Sequence, residues 1–165
     1  MKTSILIFFF SFAIYCTTAA QDLPHLKSIK LNKNAHFKGT EPLVLKVVAY
    51  LFETPIDKKN KQRTEAGQFL IKWMNGTPDY TFYLEEKETD FFNTDADFTL
   101  MYMAGLTKYK LQNPNISDKN TLSIGAMQLT LPYLYQQGNK SRWSTKLWEL
   151  NDANQKGKLK EFLYN

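Results

Sequence analysis

Apolar residues in the stretch 64–83 recur at helical period. Ala66, Phe69, Leu70, Trp73 and Met74 fall at i, i+3, i+4, i+7 and i+8, the stripe of an amphipathic helix with one buried face. Gly76 follows, where a helix can end in a left-handed residue at no steric cost, and Pro78 bars its resumption. Upstream, residues 43–52 are apolar except for Lys46 and Tyr50. Thr40-Glu41-Pro42 opens this run with an N-cap, an acid for the positive helix end and a proline tolerated in the first turn. Thr54-Pro55 closes it. Val44, Val47 and Val48 would also suit a strand, but the length favours a helix. Being apolar on most sides, it belongs in the middle of a bundle. The connector 57–63 is charged and reads as a solvated loop.

Beyond the turn residues Thr77-Pro78-Asp79, the aromatic run holding Tyr80, Phe82 and Tyr83 reads as an extended segment packed across the helices. The stretch 85–97 carries six acids against one lysine and predicts a short helix over 86–92. Thr94 or Asp95 then caps a longer helix reaching residue 112, with Ala96, Leu100, Met103, Ala104 and Leu111 on its apolar face. Gly105 inside it costs roughly 1 kcal/mol relative to Ala in an exposed helix, so close contact with a neighbouring helix explains it better. Asn113-Pro114-Asn115 breaks the chain, and Ser117 or Asp118 caps a helix over 120–137. Pro132 predicts a kink in that helix and Gly138 its stop. Ser144 caps a helix holding Leu147, Trp148 and Leu150. Gly157 interrupts, and Leu159, Phe162 and Leu163 form a final short helix. The sum is an all-α fold, an antiparallel bundle or stacked helical hairpins of five to six helices.

The first twenty residues change the picture. Met1-Lys2 is a positive start, 5–16 is an apolar run, and Thr18-Ala19-Ala20 offers small residues for cleavage. This is the pattern of a secretory signal peptide over 1–20, too short for the roughly 20 apolar residues that span a bilayer. Tyr15 is too bulky for a lipidation site at Cys16. Cys16 is the only cysteine, so cleavage after Ala20 leaves no disulfide, thiolate catalyst or thiolate metal site. The remaining organisation is a polar arm or short helix over 21–39 and a single helical domain over 40–165. A formal net charge of +5, one unit of it from Lys2, is too mild and scattered to argue for a nucleic-acid partner. The arm, with Lys27, Lys30, Lys33 and Lys38, could touch an anionic membrane surface, but the plainer reading is a solvated terminus. No transmembrane segment is expected in the mature chain.

Candidate chemistry is sparse. Asn93-x-Asp95-x-Asp97 opens like a calcium loop, but Phe98 and Ala104 stand where that loop needs Gly and a bidentate acid. Glu86, Asp90, Asp95 and Asp97 could supply a carboxylate pair for a hydrolase, provided that two of them share a cleft. The plainer reading is a helix start enriched in acids. His25 and His36 lie eleven residues apart, without metal-ligand spacing. No nucleotide, serine-hydrolase or zinc-protease motif is present. Neither a metal nor another cofactor is expected. Tyr80, Phe82 and Tyr83 remain as candidates to line an apolar groove, set against the commoner role of aromatics in cores. Trp73 sits on a buried stripe, whereas at least one of Trp143 and Trp148 should be partly exposed.

The segments Phe69-Leu70-Ile71-Lys72-Trp73-Met74-Asn75-Gly76-Thr77-Pro78-Asp79-Tyr80-Thr81-Phe82 and Lys146-Leu147-Trp148-Glu149-Leu150-Asn151-Asp152-Ala153-Asn154 resemble a group of short exported proteins of Bacteroidota. The resemblance implies a helical fold in a bacterial periplasm or envelope and carries over no catalytic residue. The leading functional expectation is non-catalytic binding of an envelope protein or peptide. The alternatives are a hydrolase using the acidic stretch and a small-molecule or lipid carrier with a cavity between helices.

Overall fold

The computed structural model describes residues 23–136 and 138–165. The expected leader, its cleavage site, Cys16 and the expected helix end at Gln137 lie outside the described residues. Among these residues the chain is all-α, with no strand. Seven α-helices follow in order: α1 (Glu41–Glu53), α2 (Lys61–Gly76), α3 (Glu86–Thr89), α4 (Ala96–Gln112), α5 (Lys119–Gln136), α6 (Thr145–Gln155) and α7 (Leu159–Tyr164). Short 3-10 turns occupy Leu26–Ser28, Asn34–His36 and Asn139–Arg142. The fold is a bundle of packed helix pairs, as the apolar periodicity implies. No described helix is long and apolar enough to cross a membrane.

The hairpin of α4 and α5 is the centre of the bundle, and small residues let its helices approach. A Cβ on Gly105 would lie 2.5 Å from Thr130 Oγ1 and 2.7 Å from the Ala126 carbonyl oxygen. The explanation expected for Gly105 is therefore the one observed. Gly125 on α5 makes the reciprocal accommodation, since a Cβ there would meet the Tyr109 ring at 2.4 Å. Helix α5 continues through Pro132 to Gln136. Helix α1 packs against both α2 and α4. Val44, Val47, Val48 and Leu51 are fully buried, which settles the strand-or-helix ambiguity of this run in favour of a central helix.

Three local expectations need correction. Gly76 is the last residue of α2 and is not left-handed. A Cβ there would fall 2.3 Å from Phe37 Cζ, so Gly76 is the seat of the Phe37 ring. The helix ends because Thr77 precedes Pro78, whose ring drives Thr77 into the extended region. Thr40 does not cap α1 with its side chain. Its hydroxyl donates to the Phe37 carbonyl at 2.5 Å and accepts from the buried Trp73 indole at 2.8 Å.

The third correction concerns the connector 57–63. Helix α2 begins three residues before Thr64, at Lys61, capped by Asn60 Oδ1, which accepts from the Arg63 amide at 3.0 Å. Arg63 is 3% exposed and is no part of a solvated loop. Its guanidinium donates to the Leu51 and Thr54 carbonyls at 2.7 and 2.9 Å and to Thr54 Oγ1 at 3.0 Å. The last carbonyls of α1 lack partners within their own helix, and a cation suits that negative end.

The N-terminal arm is anchored. Leu23, Leu26, Leu31 and Phe37 are buried in the core cluster. The two 3-10 turns bring these apolar positions inward while Lys30, Lys33 and Lys38 stay exposed.

Candidate functional site

A surface depression lies between α6 and α7. It measures about 770 Å³ and is lined by Trp148 and Ala153 on α6 and by Phe162 on α7. The angle between the two helices is set at Gly157, whose φ is 68°. The Lys158 amide donates to the Ala153 carbonyl at 2.8 Å and the Gly157 amide to Asn154 at 3.0 Å. This is the paired hydrogen-bond pattern of a glycine C-cap, so the turn that forms the groove is dictated by one glycine.

Both wall residues are large, apolar and 42% exposed. Each is braced from behind. Trp148 lies 4.7 Å from Trp143, which in turn meets Tyr135 at 6.0 Å. Phe162 rests 6.0 Å from Phe91. Lys140 lies 3.4 Å over the Tyr135 ring and closes the far end of this aromatic row. A braced ring loses little side-chain freedom when something binds to it. The rim is charged: Glu149, Asp152, Lys156, Lys158 and Glu161. Asp152 and Lys156 pair at 2.7 Å. Glu149, Glu161 and Lys158 form no ion pair among the described residues, which leaves the open rim with an excess of one carboxylate.

Helix α7 is held by a carboxylate. Glu88 on α3 is 3% exposed, and its Oε1 accepts from the Tyr164 hydroxyl at 2.9 Å. Burial, with the hydrogen bond to Glu88 and its charge added, pushes the Tyr164 hydroxyl well above the ordinary tyrosine range. Tyr102 is also raised, mainly by burial, although its bond to Ser123 at 3.1 Å acts the other way. Glu88 thus fixes the end of the helix that carries Phe162.

The residues expected from sequence are distributed elsewhere. Tyr80 and Phe82 are half-buried, with ring centroids 5.6 and 6.0 Å from Trp73, so both lean on the core tryptophan. Tyr83 is 47% exposed and borders a separate cleft of about 240 Å³ with Asp79, Thr81, Lys110, Ser117 and Leu122. That cleft is mostly polar, and Tyr80 and Phe82 are not among its walls.

Glu86 is exposed. Asp90 pairs with Lys146 and accepts from Asn93 at 2.9 Å. That lysine contact is the main reason its carboxyl is held below the usual range. Asp95 caps α4 by accepting from the Asp97 amide at 2.9 Å. Asp95 and Asp97 do come together, 3.2 and 4.0 Å from Arg142, on a cleft of about 480 Å³ that Arg63 also borders. Among the described residues no group of His, Cys, Asp and Glu is arranged to hold a metal ion.

Sequence reasoning missed Phe162 and Glu88. Leu159, Phe162 and Leu163 share helical spacing, and only the packing of α7 decides that the two leucines turn inward. Glu88 is one acid among six in its stretch, with no local signal that it is the buried one. Compared with known protein families, curated proteins and solved structures, the chain matches none.

Proposed function

We propose that this chain is an exported, non-catalytic helical protein of the cell envelope that binds a protein or peptide segment in the groove between α6 and α7. The observation that carries the reading is the pair of exposed, braced aromatic walls, Trp148 and Phe162, facing a groove of about 770 Å³. Half-exposed aromatics in a fixed setting are the usual anchors of interfaces. The volume falls in the range of pockets that enclose a drug-sized ligand, room for several side chains of a bound helix or extended peptide. Because the open rim has an excess of one carboxylate, the favoured segment carries an apolar anchor beside Lys or Arg. Export rests on the leader pattern over 1–20, and an envelope location rests on the resemblance to exported proteins of Bacteroidota.

The hydrolase alternative retains one supporting observation, the meeting of Asp95 and Asp97 on one cleft. Arg142 lies against both carboxylates, and Asp95 is also engaged as a helix cap, so the groove is the better-supported site.

A displayed peptide library panned on the protein tests the proposal. Enriched peptides should share an apolar residue flanked by a basic one and lose binding to the Trp148→Ala, Phe162→Ala double variant. Peptides that bind the double variant as well as the wild type would refute it.

A further inference from the structure

The excess of positive charge is confined to one half of the chain. Residues 23–84 carry ten Lys and Arg against five Asp and Glu, whereas residues 85–165 carry ten of each. The segment 24–38 is the extreme, with four lysines and no acid. As a bare sequence this looks like a solvated tail. In the structure it is tied down by buried Leu26, Leu31 and Phe37, with the Phe37 ring seated on Gly76. The lysines are therefore presented from a fixed surface. Lys27 pairs with Glu65 at 2.8 Å. Lys30, Lys33 and Lys38 are exposed and form no ion pair among the described residues.

Apolar surface accompanies this charge. A cleft of about 460 Å³ beside the arm is lined by Leu23, Pro24, Pro42 and Leu43, with Lys46 as its one charged residue. A second, of about 230 Å³, is mixed: Ile29 and Phe69 lie beside Lys27 and Lys72, together with Gln68 and Glu65, the carboxylate that Lys27 pairs with. Ammonium groups edging shallow apolar depressions are what an anionic bilayer surface recruits. The charges meet headgroup phosphates, and the exposed Pro24 and Pro42 with the half-buried Leu43 meet the headgroup boundary. A soluble polyanion would use the lysines and leave the Leu-Pro cleft without a role.

We propose that this basic N-terminal face docks the protein onto an anionic phospholipid surface. The inference is independent of the groove. The first 3-10 turn packs on α2, whereas α6 and α7 pack on α5.

Flotation of the exported, purified protein with vesicles tests it. Vesicles containing phosphatidylglycerol should retain the protein, vesicles of phosphatidylcholine alone should not, and added salt should release it. Counting only the lost attraction, on the order of fivefold per lysine, the combined Lys30→Glu, Lys33→Glu, Lys38→Glu variant should bind at least about 100-fold more weakly. The combined Lys156→Glu, Lys158→Glu, Lys160→Glu variant carries the same net charge and should bind nearly as the wild type does. Because the arm side chains are exposed, circular dichroism should show an unchanged fold. Should charge reversal disturb folding, the Lys30→Gln, Lys33→Gln, Lys38→Gln variant should still bind more weakly than the wild type. Equal binding to neutral vesicles, no binding to anionic ones, or equal losses in the two charge-reversed variants would each overturn the proposal.

Discussion

Alanine at Gly105 and at Gly67 should move stability in opposite directions, although both glycines lie inside helices. At Gly105 the new Cβ falls 2.7 Å from the Ala126 carbonyl oxygen, which is backbone of α5, and 2.5 Å from Thr130 Oγ1. The Thr130 hydroxyl has little room to give way, because it bridges the Met101 and Ala126 carbonyls at 3.1 and 2.8 Å. Relief therefore means prying α4 from α5. Alanine gains about 1 kcal/mol of helix propensity. Overpacking costs about 1–3 kcal/mol, and disturbing the threonine bridge about 1 kcal/mol more. The net expectation is a loss of about 1–3 kcal/mol. At Gly67 the new Cβ lies 2.8 Å from Leu100 Cδ2, and its other near neighbours belong to the same side chain at 3.4 Å or beyond. Leu100 is half-buried and its tip can rotate, so most of the propensity gain survives, about 0.5 kcal/mol. Urea unfolding followed by circular dichroism separates the two. Thermal midpoints should differ between the variants by roughly 3–14 °C at about 2–4 °C per kcal/mol. A Gly105→Ala protein as stable as the wild type, with an unchanged denaturant slope, would refute the close-approach account of the α4–α5 pair.

Arg63→Lys should cost about 2 kcal/mol, read by the same denaturation, because the shorter lysine leaves its ammonium roughly one bond short of Nη1, the nitrogen that serves both α1 carbonyls. Tyr164→Phe should cost about 1–3 kcal/mol by leaving Glu88 buried without its one hydrogen-bond donor, and hydrogen exchange should quicken in α7. Stability should fall as pH rises past the ordinary tyrosine range. Tyr102 and Tyr164 are raised in the folded state, so the unfolded chain releases their protons first, and alkali favours it. An ultraviolet tyrosinate titration should show these hydroxyls ionising only with unfolding. Trp148→Ala should leave stability within about 1 kcal/mol of the wild type while abolishing peptide binding.

The helices were legible because each carries its own signal. Asp95 and Ser144 cap α4 and α6 as their residue types require, and the stripe from Ala66 to Met74 is the buried face of α2. The errors arose where a residue's role depends on something distant in the chain. Gly76 has the composition of a helix stop, but its neighbour is Phe37, thirty-nine residues earlier. Arg63 sits in a basic run, yet its partners are the carbonyls that end the preceding helix. The arm looked unanchored because Leu26, Leu31 and Phe37 follow no helical period, and each inward turn is only three residues long. The groove was half legible. The sequence leaves at least one of Trp143 and Trp148 partly exposed without saying which, and Phe162 comes to share a groove with Trp148 only through the left-handed turn at Gly157 and the hold of Glu88 on Tyr164.

The central claim is that the α6–α7 groove is where this protein meets its partner. Photo-crosslinking from a benzoylphenylalanine placed at Glu149, in intact cells, tests it most directly. The account predicts a discrete protein adduct that disappears in the Trp148→Ala background and is absent when the probe stands at Lys72 on α2. Adducts of the same pattern from both positions, or one that persists without Trp148, would contradict it.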